Sequence, residues 1–133
     1  DPKGRLSIPS KYREVLGDEF VVSKGMDGCL YVYANDDWKV FEGKLASLPL
    51  MSEEARQFAR FFLSGAQPVT VDKQGRILMP QDLRDFAGLE KDVVLAGMGG
   101  RIEIWSLERW QANNDSIDIN AISKGVMNLG LTI

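Results

Sequence analysis

One nine-residue pattern occurs twice: Asp1-Pro-Lys-Gly-Arg5-Leu-Ser-Ile-Pro9 returns 71 residues later (72 − 1) as Asp72-Lys-Gln-Gly-Arg76-Ile-Leu-Met-Pro80, with Asp, Gly, Arg and the final Pro unchanged. The correspondence runs on past the motif, with Arg13 matching Arg84, Gly17 matching Gly88 and Glu19 matching Glu90. After a one-residue insertion the offset is 72, aligning Val21-Val22 with Val93-Val94, Gly25-Met26 with Gly97-Met98, Gly28 with Gly100 and Trp38 with Trp110. Two copies of one small module restrict the chain to a pseudo-two-fold architecture that presents the same functional surface twice. Each half of a 133-residue chain is too small to hold a comfortable core alone, so the halves are expected to pack together or with other subunits.

In each copy the motif's proline is followed by a short helical pattern, Ser10-Lys-Tyr-Arg-Glu-Val-Leu16 and Gln81-Asp-Leu-Arg-Asp-Phe-Ala87. Ser10 suits an N-cap, and Gly17 and Gly88 suit the left-handed position after a helix. Two strand signals around a tight turn come next. Phe20-Val-Val-Ser-Lys24 and Cys29-Leu-Tyr-Val-Tyr33 flank Asp27-Gly28, while Val93-Val-Leu-Ala96 and Arg101-Ile-Glu-Ile-Trp105 flank Gly99-Gly100. Alternation at Leu30, Val32 and at Ile102, Ile104 predicts one buried face on each second strand.

Between the copies, Trp38, Phe41, Leu45 and Leu48 recur at helical spacing, and Ser52 caps a further amphipathic pattern through Ala55, Phe58, Ala59, Phe62 and Leu63. Ser106 opens another helix, and Ile119, Ile122, Val126 and Leu129 form a weakly amphipathic tail that is expected to dock on a neighbouring subunit or fray. Gln67-Pro-Val-Thr-Val71 reads as a strand before the second motif. By the same logic a strand is expected before the first. The sequence opens at Asp1 without it and without Met, so a trimmed N-terminus is expected, with impaired assembly if that strand is required.

Composition removes several function classes. Histidine is absent, which takes away the usual general base near neutral pH and the commonest metal ligand, so no catalytic residues, metal or cofactor are expected. Cys29 cannot form an internal disulfide and sits in an apolar alternating run, as a packed thiol does. With no run of eighteen apolar residues and no charged-then-apolar leader, the chain reads as cytosolic, without membrane partner or small-molecule substrate. The acid pairs Asp36-Asp37 and Glu53-Glu54 fall where helices begin and favour the macrodipole there. Phe58, Phe61 and Phe62, and Trp38, Trp105 and Trp110, sit at packing positions rather than on a stacking platform.

A net charge of −3 argues against nucleic acid, but its distribution does not: Lys3, Arg5, Lys11 and Arg13 fall within residues 3 to 13 with no acid among them. An arginine fork can bind guanine O6 and N7 bidentately, whereas lysine more naturally contacts phosphate, so Arg5 should specify and Lys3 should anchor. Gly4 and Gly75 allow a tight turn or close backbone approach, and Asp1 and Asp72 can hold their arginines or accept from turn N–H groups. One isolated Asp-x-x-Gly-Arg is equally a hairpin turn closed by an ion pair. Recurrence in a matched context favours function, though one copy can serve DNA while the other only maintains the fold. Arg13 and Arg84 are expected to support helix ends or subunit contacts.

The Asp-x-x-Gly-Arg turn, followed by an apolar-Pro pair and a short helix, resembles the AbrB-like swapped-hairpin DNA-binding modules. Two such modules joined by a helical pair resemble the MraZ family. The likeness covers nearly the whole chain through Asp1-Pro-Lys-Gly-Arg5, Pro9-Ser-Lys-Tyr-Arg13, Arg60-Phe-Phe-Leu-Ser-Gly-Ala66, Asp72-Lys-Gln-Gly-Arg76 and Ile102-Glu-Ile-Trp105. It implies an α+β fold of two tandem pseudo-symmetric β-barrel modules joined and flanked by helices. The expected boundaries are a first module with trailing helix at 1–48, a connecting helix at 49–66, a second module at 67–112 and a helical tail at 113–133. It further implies a non-enzymatic, nucleoid-associated regulator, expected to be a repressor, of the bacterial division and cell wall gene cluster. Such a regulator binds short promoter direct repeats in double-stranded DNA as a homo-oligomeric ring of eight or twelve subunits. The implied DNA-binding residues are Lys3, Gly4 and Arg5, and Lys73, Gln74 and Arg76, supported by Asp1, Asp72 and Gly75. Lys3 aligns with Gln74, which weights the first copy. The rival class is a protein-interaction scaffold or an antitoxin-like partner.

Overall fold

A computed structural model describes residues 3–132 as an α+β fold. Among these residues there are six α-helices and two β-sheets. The first copy supplies β1 (Arg5–Ser7), α1 (Ser10–Leu16), β2 (Glu19–Lys24), β3 (Leu30–Ala34) and α2 (Asn35–Ala46). After α3 (Glu53–Gly65), the second supplies β4 (Gln67–Thr70), β5 (Arg76–Leu78), α4 (Gln81–Ala87), β6 (Val93–Gly97), β7 (Ile102–Ser106), α5 (Leu107–Asp115) and α6 (Ile119–Asn128). Asp1, assigned above to motif support, lies outside the described residues.

The two copies interleave. β1 pairs antiparallel with β5, and a five-stranded sheet runs in the order β4-β2-β3-β7-β6. Three ladders cross between the copies; β2 with β4 sets Phe20 opposite Val69, and the other two are centred on equivalent positions. In the ribbon, Leu6 faces Ile77 (6 + 71), and Arg5 faces Leu78 while Ser7 faces Arg76. In the sheet, Tyr31 faces Glu103 (31 + 72), with Leu30 opposite Ile104 and Val32 opposite Ile102. A single pseudo-two-fold axis through these two pairs relates the copies, as the repeat requires.

The barrel implied by the resemblance is not closed. The ribbon strands pair only with each other, the ladder ends at β4 and β6, and the core is sealed instead by the ribbon with α1 and α4. On that side Ile8, Ile77 and Met79 meet Phe20, Val22, Leu30, Val32, Ile102, Ile104 and Leu83. The opposite face of the sheet is covered by α2 and α3, where Trp38, Leu45 and Phe62 bury Val21, Tyr31 and Tyr33. β3 is therefore buried on both faces rather than one, because helices lie on both sides of it.

Local signals held to differing degrees. Ser52 accepts from Ala55 N–H and Ser106 from Arg109 N–H, capping α3 and α5. Ser10 does not cap α1; Pro9 occupies that place without a side-chain bond, and Ser10 is the first helical residue. Gly88 takes the left-handed conformation (φ 64, ψ 32), whereas Gly17 combines φ 79 with ψ −167, open only to glycine. The acid pairs lie in the first turns of α2 and α3. Phe62 and Trp105 are core residues, but Phe58 is 43% exposed. Nothing on α6 is buried. No helix among the described residues is long and apolar enough to cross a membrane.

Cys29 is fully buried and donates from Sγ to the Met26 carbonyl at 3.2 Å. Burial first, and the Glu103 and Asp27 charges next, push its thiol from 9.0 to about 12. It is expected to resist a disulfide-exchange reagent in native buffer at pH 8 and to react fully in guanidinium. Prompt native labelling contradicts this. Because the unfolded thiol ionises near 9 while the folded one keeps its proton, stability falls as pH rises between 9 and about 12. The slope from this group is at most about 1.4 kcal/mol per pH unit. Burial raises Tyr31 and Tyr33 as well, which steepens the alkaline loss.

Candidate nucleic-acid interface

Asp72 organises the second turn. Its Oδ1 accepts from the N–H groups of Gln74 (2.8 Å) and Arg76 (2.9 Å), and its Oδ2 lies 3.4 Å from Arg76 Nε. Gly75 N–H donates to the Asp72 carbonyl at 3.0 Å, and Asp72 N–H to the Arg76 carbonyl at 2.8 Å. The Arg76 backbone N–H, followed by that of Gln74 and the Arg76 charge, holds the Asp72 carboxyl below its ordinary value. Its hold on the turn is thus complete at neutral pH and is lost only as pH falls through that lowered pKa. The carboxylate makes this an ion-pair-closed turn that leaves Lys73 and Gln74 exposed at its tip and Arg76 half-buried at its exit.

In the first turn Lys3 is exposed, Gly4 buried and Arg5 half-buried, matching Gln74, Gly75 and Arg76 in turn. The ribbon brings the two motifs together. Strand alternation puts Leu6 and Ile77 on its core face, and Arg5, Ser7, Arg76 and Leu78 together on the other. Arg5 and Arg76 are diagonal neighbours across the ladder, with Cα atoms on the order of 7–8 Å apart. Each end of the ribbon is locked by a symmetric backbone bond of 2.9 Å, from Ile8 N–H to the Gly75 carbonyl and from Met79 N–H to the Gly4 carbonyl.

Gly4 and Gly75 have φ of 81 and 76, a region that costs other residues about 1–2 kcal/mol. A side chain at Gly4 meets Arg84 Cζ at 2.6 Å, whereas one at Gly75 meets Arg13 Cζ at 3.1 Å. Gly75→Ala is therefore expected to cost about 1–2 kcal/mol in urea denaturation, and Gly4→Ala at least as much, with Arg84 displaced besides. An unchanged midpoint for both contradicts the turn geometry.

Arg13 and Arg84 were not among the binding residues the sequence singled out. Arg13 Nε donates to the Ile8 carbonyl at 3.0 Å and Arg84 Nε to the Met79 carbonyl at 3.1 Å. Their matching places in the repeat were the only signal available. Arg109, likewise unremarked, ties the copies by donating from Nη1 to the carbonyls of Gly28 and Phe86, both at 2.9 Å.

Two pseudo-symmetric turns, each carrying an exposed polar tip and a half-buried arginine, meet in one two-stranded ribbon. Similarity places the chain among transcriptional regulators. A family model described as "MraZ protein, putative antitoxin-like" matches residues 1–61 and again 62–128. Transcriptional regulator MraZ of Clostridium acetobutylicum is 52% identical over 132 residues, 98% of this chain and 93% of that protein. Its namesake in Clostridium beijerinckii is 51% identical over the same shares. That of Heliobacterium modesticaldum is 57% identical over 115 residues, 86% of this chain and 80% of its own. The chain belongs to the MraZ family of transcriptional regulators.

Proposed function

We propose that this chain is a sequence-specific DNA-binding transcriptional regulator, acting as a repressor of the division and cell wall gene cluster. The observation that carries the reading is the cross-copy register that sets Arg5 and Arg76 on the same face of the ribbon. A two-stranded ribbon fits the major groove of B-DNA, where arginine reads guanine. Lys3, Lys73 and Gln74 serve the phosphates, and Gly4, Gly75, Asp1 and Asp72 shape the turns.

The units are residues 1–48 and 67–112 as swapped-hairpin modules, with 49–66 as connector and 113–133 as tail. A homo-oligomeric ring of eight or twelve such chains multiplies a few basic turns along one strip, which offsets the net charge of −3 and engages successive direct repeats by avidity. The site of action is the nucleoid in the cytoplasm.

A salt-titrated fluorescence anisotropy assay tests this. It compares a duplex carrying several direct repeats from the cluster's promoter with a scrambled duplex, using protein sized by light scattering. Repeat-dependent binding by a large oligomer is expected. Equal, weak and salt-labile binding to both duplexes overturns it. Support then passes to the second reading, a protein-interaction scaffold or antitoxin-like partner. That reading is favoured by the exposed apolar residues Leu50, Met51, Phe58 and Leu63 and by the unburied Ile119 and Ile122 of α6.

A further inference from the structure

We propose that Arg13 and Arg84 are positioning residues that act across the repeat: Arg84 of the second copy sets the first DNA-binding turn, and Arg13 of the first copy sets the second. The proposal rests on the turns being the DNA-reading elements, and extends that reading to residues which need not touch DNA.

The geometry is a pair of relays. Arg84 Nε donates to the Met79 carbonyl (3.1 Å), and Met79 N–H donates to the Gly4 carbonyl (2.9 Å). Arg13 Nε donates to the Ile8 carbonyl (3.0 Å), and Ile8 N–H donates to the Gly75 carbonyl (2.9 Å). Each guanidinium also lies directly against the glycine of the opposite motif. A Cβ built on Gly4 falls within 2.8 Å of Cζ, Nε and Nη1 of Arg84, and one on Gly75 falls 3.1 to 3.4 Å from Cζ, Nη1 and Nε of Arg13. Only a residue without a side chain admits so close a plane, so the same glycine that frees the backbone also seats the opposing arginine.

Each arginine's bond to the carbonyl five residues earlier stays at the start of its own helix, whereas the backbone bond to the glycine carbonyl joins the copies. The contact at each glycine crosses the pseudo-two-fold axis, and Arg5 and Arg76 follow those glycines directly. A flat guanidinium that roofs the turn, and that holds the carbonyl of the residue whose N–H fixes the glycine carbonyl, limits the directions in which the next arginine can leave it. Lysine retains the charge but not the planar fork. The first turn is held more closely than the second. Arg84 is half-buried and further fixed by Gln81 Oε1 at 2.6 Å, whereas Arg13 is exposed.

The test is a set of double-mutant cycles in the full chain, read by anisotropy on the direct-repeat duplex. Arg84→Met is expected to weaken repeat-specific binding about tenfold, less than losing the base contact itself, because the reading arginine is misplaced rather than removed. Added to Arg5→Ala, it should cost less than about twofold more, because the turn it serves is already silent. Added to Arg76→Ala, it should cost its full tenfold. Arg13→Met, by contrast, should cost less than about twofold more when added to Arg76→Ala, and neither Arg84→Lys nor Arg13→Lys should restore binding. Recovery with lysine marks a phosphate contact and overturns the proposal. So does coupling of each arginine to the motif of its own copy, or full additivity in both backgrounds.

Hydrogen exchange, measured by mass spectrometry on the same variants without DNA, separates this idea from the DNA-binding reading. Arg84→Met should speed exchange chiefly at residues 3–5, and Arg13→Met chiefly at 73–76. If Arg5→Ala and Arg76→Ala leave binding intact, the DNA-binding reading fails while this crossed pattern still upholds the support of the turns. Faster exchange confined to the variant's own copy, or no change at either turn, overturns the proposal.

Discussion

Replacing Arg5 with alanine is expected to abolish preference for the direct-repeat duplex over its scrambled control while leaving the oligomer's size unchanged. Arg5 lies on the outer face of the ribbon opposite Leu78, whereas core contact on that strand falls to its neighbour Leu6. Arg5 is half-buried, so truncation also removes some packing beside Leu6 and Met79, which is why oligomer size is measured alongside binding. One bidentate arginine–guanine pair is worth about 1–3 kcal/mol, and an oligomer engaging two or more repeats loses that amount at each of them, so a decline of roughly a hundredfold or more is expected. Residual binding should match that to scrambled DNA and keep a steep salt dependence through the lysines. The pseudo-two-fold partner Arg76 provides a calibration. If the copies read bases equally, Arg76→Ala matches Arg5→Ala. If the first copy dominates, as Lys3 in place of Gln74 favours, it costs less. Full-strength specific binding by Arg5→Ala excludes Arg5 as the reading residue, and a smaller oligomer indicates that it holds subunits together instead.

The repeat made much of this site legible. It located both turns, their glycines and the two arginines, because a motif found twice in the same context constrains placement far more than one found once. Asp72 closing the turn on Arg76 was legible too, since a short carboxylate four residues before an arginine has few other partners. What the residues alone left open was which copy each element serves. Strand patterns in two copies of one module are interchangeable, so alternation could not say whether β1 pairs within its own module or with β5. Only the fold decides, by seating Leu6 opposite Ile77. The second face of β3 was hidden for a related reason. Tyr31 and Tyr33 alternate with Leu30 and Val32 as solvent-side residues would, and α2 and α3 bury them through contacts that sequence spacing does not report. Arg13 and Arg84 lie at helix positions where arginine ordinarily faces water, and their cross-copy contacts depend on the same interleaving.

The largest expected loss of stability is at Phe62, and it should leave recognition itself untouched. Phe62 is 1% exposed on α3 and meets four other rings: Tyr31 of the sheet stacked at 6.0 Å, Phe41 of α2 at 5.2 Å, and its helix neighbours Phe58 and Phe61 at 4.9 and 5.0 Å. It is the point at which the connecting helix, the preceding helix and the central strand join. Phe62→Ala is expected to cost about 3–5 kcal/mol, combining lost burial with the cavity that rigid neighbouring rings cannot fill. Against a total of about 5–15 kcal/mol, that brings the fold close to its limit. Phe58→Ala provides the contrast, because that ring is 43% exposed and is expected to cost about 1 kcal/mol. Chemical denaturation should separate the two by their midpoints at a shared slope. Phe62→Leu, which keeps most of the volume, should recover much of the difference. α3 delivers the chain to β4 and so to the Asp72 turn, yet it contributes no side chain to the ribbon's outer face. The folded fraction of Phe62→Ala should therefore bind the direct-repeat duplex with the affinity of the parent chain, once corrected for the unfolded population. Loss of specificity in the folded fraction ties α3 to the reading of DNA. A midpoint within experimental error of the parent removes Phe62 from the centre of the core.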